Sequence, residues 1–222
     1  MSRADATALL AALQVADTAF PSGGFAYSWG LEAAAAEGVV DRASFGDWLE
    51  GEMAGRWTGF DRPLVAAAFR AADAEAVLAI DLRADRAFWA ETLRRQSAEA
   101  GQAFLAAAAR LGDPAATALR AAALEGRGAV HLPVAQGAVF RSLGLSETLA
   151  LAASSHAARQ SLAGAAVRLG LAGAIEAQRT IARLGPGMSA GLEPPTDMAP
   201  APFAPLSEIA ALRPPETRLF AN

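Results

Sequence analysis

Alanine makes up roughly a quarter of the 222 residues, while Val and Ile are scarce. Alanine is the best helix former and β-branched residues are the ones that favour strands, so summed propensity points to helix along almost the whole chain. The expected fold is all-α: one single-domain bundle of about eight to ten helices over residues 1–185, followed by a Pro-rich C-terminal tail over 186–222. Hydrophobic residues make up 53% of the chain, enough for a sizeable core.

Periodicity and breakers divide the chain. A first helix is expected over Ala4 to Ala16, with Leu9, Leu10, Leu13 and Val15 buried, ending before Pro21 and the following glycines. A second starts near Ser28 and stops at Gly38. Ser44 reads as the N-cap of a third helix reaching Arg56 to Gly59, in which Phe45, Trp48, Leu49 and Met53 recur at three to four residues. Asp61 and Pro63 open a fourth. A longer helix is expected from Asp85 to Leu111, with Trp89, Leu93, Ala100, Phe104 and Ala107 on one face and Gly112 closing it. Asp113-Pro114 is an N-cap and N1 pair for a helix ending at Gly126 to Gly128, and Pro133 opens the next, which ends near Gly144.

Ser146 caps a long Ala-rich segment reaching Leu184, with a break expected near Gly170 and Gly173. Ala153, Ala157, Ser161 and Ala165 fall four apart, a ladder that lets two helices approach closely. Spacing favours an internal core helix over a dimer seam. Eight of the twelve prolines lie between Pro186 and Pro215. That composition predicts an extended tail around one short helix, Leu206 to Leu212, and the tail is expected to become partly ordered on binding. Its end, Arg218-Leu219-Phe220, reads either as an anchor on a tether or as a frayed terminus.

Charge and chemistry exclude several functions. All 19 basic residues are Arg; Lys and Cys are absent, and the net charge is -4. There is no P-loop lysine, no lysine for a Schiff base, no thiol nucleophile and no thiolate metal site. No basic stripe suits nucleic acid, and no apolar run reaches the roughly 18 to 20 residues a membrane helix needs. The N-terminus reads as a helix rather than a signal peptide, which makes the cytoplasm the default.

His131 and His156, the two histidines, stand apart with no HxxxH or HxxE partner, so no metal ligands and no catalytic residues are assigned. Ser154 and Ser155 lie beside His156, but neighbouring helical residues point in different directions. Glu91, Glu99, Glu147 and Glu176 read as solvated helix faces. The densest group of unusual residues is Phe20-Pro21-Ser22-Gly23-Gly24-Phe25-Ala26-Tyr27-Ser28-Trp29-Gly30-Leu31-Glu32. Its glycines are a weak anion signal without a lysine. Two readings stand for the rest: a turn whose aromatics staple two helices, with Ser28 as cap and Glu32 in the first turn, or a surface patch for another protein.

That run, preceded by Leu13-Gln14-Val15-Ala16-Asp17, resembles the N-terminal signature of the UreF family of urease accessory proteins. Arg94, Ser97 and Gly101 resemble the family's Arg, Ser, Gly helix pattern. His131-Leu132-Pro133-Val134 with Gly137, then Leu143-Gly144-Leu145, resembles H-x-P-V-x-x-x-G and L-G-L. Ala165-Ala166-Val167-Arg168-Leu169-Gly170 is similar to its A-A-V-R-L-G run, and Arg218-Leu219-Phe220 to its terminal R-L-F. The approach to that end, Leu212-Arg213-Pro214-Pro215-Glu216-Thr217, departs from the family.

The resemblance implies an all-helical, non-enzymatic chaperone of nickel insertion. It would form a homodimer and join a UreD-type (UreH) protein, the GTPase UreG and the urease apoprotein. The complex would handle nickel, with no cofactor bound tightly to this chain. The partner-binding residues it implies are Tyr27, Ser28, Glu32, Arg168, Arg218, Leu219 and Phe220. Tyr27, its hydroxyl outward, and Arg218 would support GTPase recruitment, while Leu219 and Phe220 would anchor the tail. Read from the residues alone, the alternative is an all-α interaction module unrelated to urease.

Overall fold

The computed structural model describes residues 3–22, 27–88, 90–189, 192–196 and 199–201. Its elements are α1 (Arg3–Ala16), α2 (Leu31–Ala36), α3 (Phe45–Glu52), a π-helical stretch (Met53–Asp61), α4 (Arg62–Arg70), α5 (Ala74–Ala87), α6 (Glu91–Arg110), α7 (Pro114–Leu124), α8 (Leu132–Ser142), α9 (Glu147–Arg168) and α10 (Ala174–Ser189). No strand occurs among the described residues, and the all-α architecture read from composition is the one observed.

Breakers and caps act where their chemistry predicts. Asp113 accepts from Ala116 N–H at 2.7 Å and Ser146 from Leu149 N–H at 3.2 Å, each covering a free amide of a first helical turn. Gly112, Gly144 and Gly170 follow the ends of α6, α8 and α9 at φ of 91°, 77° and 72°, a left-handed backbone that glycine adopts without steric cost.

Helix α8 sits at the centre, packed on α4 and α6. Gly137 permits this, because a Cβ there would run into the Val65 carbonyl and the Ala68 side chain. Gly101 on α6 similarly leaves room for the Val130 carbonyl. One apolar cluster gathers Phe20, Phe60, Leu64, Phe104 and Phe140; a second gathers Tyr27, Trp29, Leu49, Trp57 and Leu162.

Several expectations need correction. Of the α1 residues expected in the core only Val15 is buried, whereas Leu9, Leu10 and Leu13 are exposed. The helix packs on α9, with Ala12, Val15 and Ala16 buried on its inner side and the leucines turned outward. Ser44 precedes α3, but its hydroxyl donates to Asp41 instead of capping helix amides. The fourth helix does not open after a break: α3, the π stretch and α4 run on without a loop, and Pro63, at an N-terminal position, continues the rod.

The long helix expected from Asp85 is two helices. Asp73 caps α5 by accepting from Ala76 N–H at 2.9 Å. The chain then leaves the helix at Phe88, whose φ of -71° and ψ of 122° are extended. Phe88 packs 4.7 Å from Phe60 and 4.8 Å from His131, ring centre to ring centre, and that burial sets the break with no Gly or Pro to announce it. Leu93, Ala100, Phe104 and Ala107 are buried along α6 as expected, while Trp89 lies outside the described residues. Helix α10 continues past Leu184 and Pro186 to Ser189.

The ladder on α9 is divided. Ala153 and Ala165 are buried in the chain's own core, while Ala157 and Ser161 are half-buried and line a cavity. After α10 the chain folds back over the rod: Leu192 packs on the second cluster, and Ala201 N–H donates to the Gly59 carbonyl at 2.8 Å.

Candidate partner-docking site

The segment entering α2 is held by a left-handed turn. Trp29 has a φ of 53°, a conformation rare for a bulky residue, and Gly30 follows at 87°. This turn delays α2 to Leu31, although Ser28 still accepts from Glu32 N–H at 3.3 Å. Ser28 is fully buried and Glu32 is 5% exposed, so both hold the turn from within. Gly23 to Ala26, the glycines of the weak anion signal included, lie outside the described residues.

Tyr27 is buried as well, with its ring centre 5.8 Å from that of Trp29. Its hydroxyl does not reach outward. It donates to Glu99 Oε2 on α6 at 2.7 Å. Burial, followed by the bond and charge of Glu99, pushes the phenol pKa well above its ordinary value, so the hydroxyl stays a donor. The Glu99 side chain is 52% exposed, with Oε1 3.8 Å from Arg95 Nε.

On its other side Trp29 meets the rod. The Arg56 guanidinium carbon lies 4.0 Å from the Trp29 ring centre, a cation–π contact. Arg56 Nε is 3.8 Å from Asp61 Oδ2. Burial pushes the Asp61 carboxyl up to about 6, with Arg56 opposing the rise. Both residues belong to the π-helical stretch, a rare geometry that concentrates at functional sites.

Trp29, Arg56 and Asp61 line a cavity of about 540 Å³ whose other wall includes Ser161 and Arg168. At its floor the Trp57 indole donates to Ser154 Oγ at 3.2 Å, and Ser154 donates to Gln136 Oε1 at 2.9 Å. Ser154 and Ser155 are buried while His156 is exposed, so the three side chains do not converge. Arg168 closes the last turn of α9, and burial lowers its guanidinium pKa.

His131 is fully buried, with Nε2 3.2 Å from Asp85 Oδ1. Asp85 also accepts from Arg94 Nη1 at 2.9 Å. Burial raises the Asp85 carboxyl, but the bonds from Arg94 and His131 outweigh it and leave the pKa below the ordinary value. Asp81 accepts from the N–H groups of Val130 and His131 at 2.8 and 2.7 Å, fixing the turn before α8 where Val130 has a φ of 53°. Among the described residues no three His, Asp or Glu side chains group as a metal site, and no helix is long and apolar enough to cross a membrane.

Of the residues named from sequence, the structure joins Tyr27, Ser28 and Glu32 in one turn, and brings Arg168 to the cavity that Trp29 also lines. Arg218, Leu219 and Phe220 lie outside the described residues. In the sequence Glu99 stands on a solvated helix face, and Arg56 and Asp61 stand only at expected helix ends, with nothing to place them at a site. Their partners are 72 positions away for Glu99 and in a different element for Arg56, so local pattern carried no signal for either.

A family model described as UreF matches residues 39–185. The urease accessory protein UreF of one strain of Cereibacter sphaeroides is 40% identical over 182 residues, covering 81% of this chain and 79% of the relative. That of a second strain is 39% identical over 209 residues, covering 93% and 90%. The protein of the same description from Arthrobacter sp. is 33% identical over 213 residues, 92% of each chain.

Proposed function

Because the chain belongs to the UreF family of urease accessory proteins, we propose that it works as a non-enzymatic scaffold in GTP-dependent assembly of the urease nickel centre. It binds a UreD/UreH-type protein and the GTPase UreG and presents them to the urease apoprotein. Nickel is cargo of the whole complex, and the setting is the cytoplasm. The absence of Lys and Cys supports this division of labour, since nucleotide and thiolate-metal chemistry must come from other chains.

One observation carries the docking site: the turn holding Tyr27 and Trp29 is braced from both sides, by Glu99 on α6 and by Arg56 on the rod, and the returning C-terminal segment is tied at Gly59 on that same rod. A surface fixed in this way loses little conformational entropy on binding. Ser28 and Glu32 act by holding the turn, Arg168 by forming the cavity wall, and Leu219 and Phe220 by anchoring the tail so that Arg218 completes the platform. Exposed Leu10, Leu13 and Ile175 provide apolar surface for a second copy to cover in a homodimer.

Co-expression with the UreD-type protein and UreG, followed by capture of the GTPase on Tyr27→Ala and Arg218→Ala chains, tests the reading. Both variants are expected to lose the GTPase; undiminished capture by both rejects the platform. Sizing and mass measurement of the wild-type complex gives two copies of this chain if the dimer forms.

A further inference from the structure

Arg56 is the one arginine among the described residues that is buried, at 9% exposure, and its guanidinium makes no hydrogen bond among them. Asp61 Oδ2, its ion-pair partner, stands 3.8 Å from Nε, beyond hydrogen-bond range. The contact with Trp29 draws on the charge of the guanidinium and leaves its N–H hydrogens unused. Arginine N–H groups are met elsewhere in the fold: Arg94 gives Glu91 two bonds, at 2.8 and 2.7 Å, and Asp85 a third at 2.9 Å. A buried cationic donor left unmet is costly, and such a group ordinarily marks a place that something else fills.

That place is the cavity of about 540 Å³ that Arg56 lines. Gln136 of α8, 7% exposed, lines it too; its Oε1 accepts from Ser154, and its amide nitrogen has no partner among the described residues. Ser97 of α6, 1% exposed, adds a hydroxyl to the same lining. The acceptors are already in use. Ser154 takes the Trp57 indole N–H, and Glu52, the buried carboxylate of this cavity, is engaged within the protein. The capacity left over is therefore donor capacity, held by a cation, and the complementary ligand is an anionic acceptor.

Shape and charge narrow the class. A guanidinium fork matches a planar carboxylate, giving it two parallel N–H bonds. Trp29, Met53, Trp57 and Leu132 supply apolar wall for the carbon that carries the carboxylate. The charged groups lining the cavity are Arg56 and Arg168 against Asp17, Glu52 and Asp61, so a dianion would meet more repulsion than a single carboxylate. Asp61 eases entry of one negative charge: its carboxyl is already pushed up to about 6 by burial, and a second anion beside it favours the protonated form further.

We infer that the cavity is a carboxylate-binding site, in which the Arg56 guanidinium, stacked on Trp29, takes the two oxygens of the ligand and the Gln136 amide adds a donor. The carboxylate comes from a small organic acid or from an Asp or Glu side chain that a docking protein inserts; the recognition chemistry is the same. The site stands on the cavity and does not depend on which protein meets the Tyr27 turn.

The test titrates the full chain with sodium acetate at constant ionic strength, read by tryptophan fluorescence, with sodium chloride and the neutral isostere acetamide as controls. Acetate is expected to give a saturable change that neither control gives. Arg56→Gln, verified as folded by circular dichroism, should weaken acetate binding by about tenfold or more. Binding takes up a proton at Asp61, so acetate should bind several-fold more tightly at pH 6 than at pH 7.5, and Asp61→Asn should remove most of that difference.

An acetate response no larger than that to chloride, or one matched by acetamide, overturns the site; this comparison uses the wild-type chain and holds whether or not the variants fold. Unchanged acetate binding by folded Arg56→Gln overturns it as well. Repeating the titration on the complex with the UreD-type protein and UreG separates the two sources. Undiminished acetate binding there assigns the site to a small acid. Loss of acetate binding in the complex, with assembly weakened by saturating acetate, assigns it to a partner's side chain, and either result upholds the site.

Discussion

The Arg56 guanidinium lies against the face of the Trp29 ring, 4.0 Å from its centre, and stays within 3.8 Å of Asp61. One cation therefore serves an aromatic ring from the N-terminal turn and a carboxylate from its own rod. Replacing Arg56 by Ala removes both contacts and leaves Asp61 beside a cavity without its counter-charge. We expect a loss of about 2–4 kcal/mol at pH 7, measured by urea denaturation, with a smaller loss at pH 5, where more of Asp61 is protonated.

Asp61 should leave its own mark on the pH dependence of stability. Its folded pKa of about 6 exceeds the ordinary carboxylate value near 4, so the folded state binds the extra proton between those limits. Stability from this group is present below about pH 4 and is lost as pH rises through 6. Asp61→Asn is expected to stabilise the protein by about 1–3 kcal/mol at pH 7 and to be nearly neutral at pH 4. Equal effects at both pH values would count against it.

The Trp57–Ser154–Gln136 chain is a separate test of buried polar pairing. Ser154→Ala strips the acceptor from the indole N–H and the donor from Gln136 in one step. Leaving buried groups unpaired should cost about 1–3 kcal/mol, seen as a lower urea midpoint with an unchanged slope.

Glycines should respond to alanine according to the space and backbone conformation each one has. At Gly137 the new Cβ would meet backbone of α4, which cannot move without separating α4 from α8. Gly137→Ala is expected to cost more than about 3 kcal/mol or to prevent folding. Gly112→Ala meets nothing within 4 Å and strains only a φ of 91°, so about 1 kcal/mol is expected in the same denaturation measurement.

Helices announced by their own chemistry were legible in the sequence. Asp113-Pro114 and Ser146 mark starts, Gly112, Gly144 and Gly170 mark ends, and the structure places helix boundaries beside each. Boundaries set by tertiary packing were not legible. Phe88 ends α5 because its ring is needed between Phe60 and His131, and nothing nearby in sequence forbids the helix from continuing. The α1 leucines point the wrong way for a related reason: large apolar residues suggest a core, but the face of α1 that is buried carries Ala12, Val15 and Ala16. At the candidate site the Tyr27 to Trp29 turn was visible as an unusual run, whereas Glu99, Arg56 and Asp61 acquire meaning only through contacts across the fold.

The uninterrupted rod from Phe45 to Arg70 passes from one apolar cluster into the other: Phe45, Leu49 and Trp57 belong to the second, Phe60, Leu64 and Ala67 to the first. With no loop between them, α3 and α4 share one run of helical backbone joined to both clusters, and slow amide hydrogen exchange should release them together, as one cooperative unit.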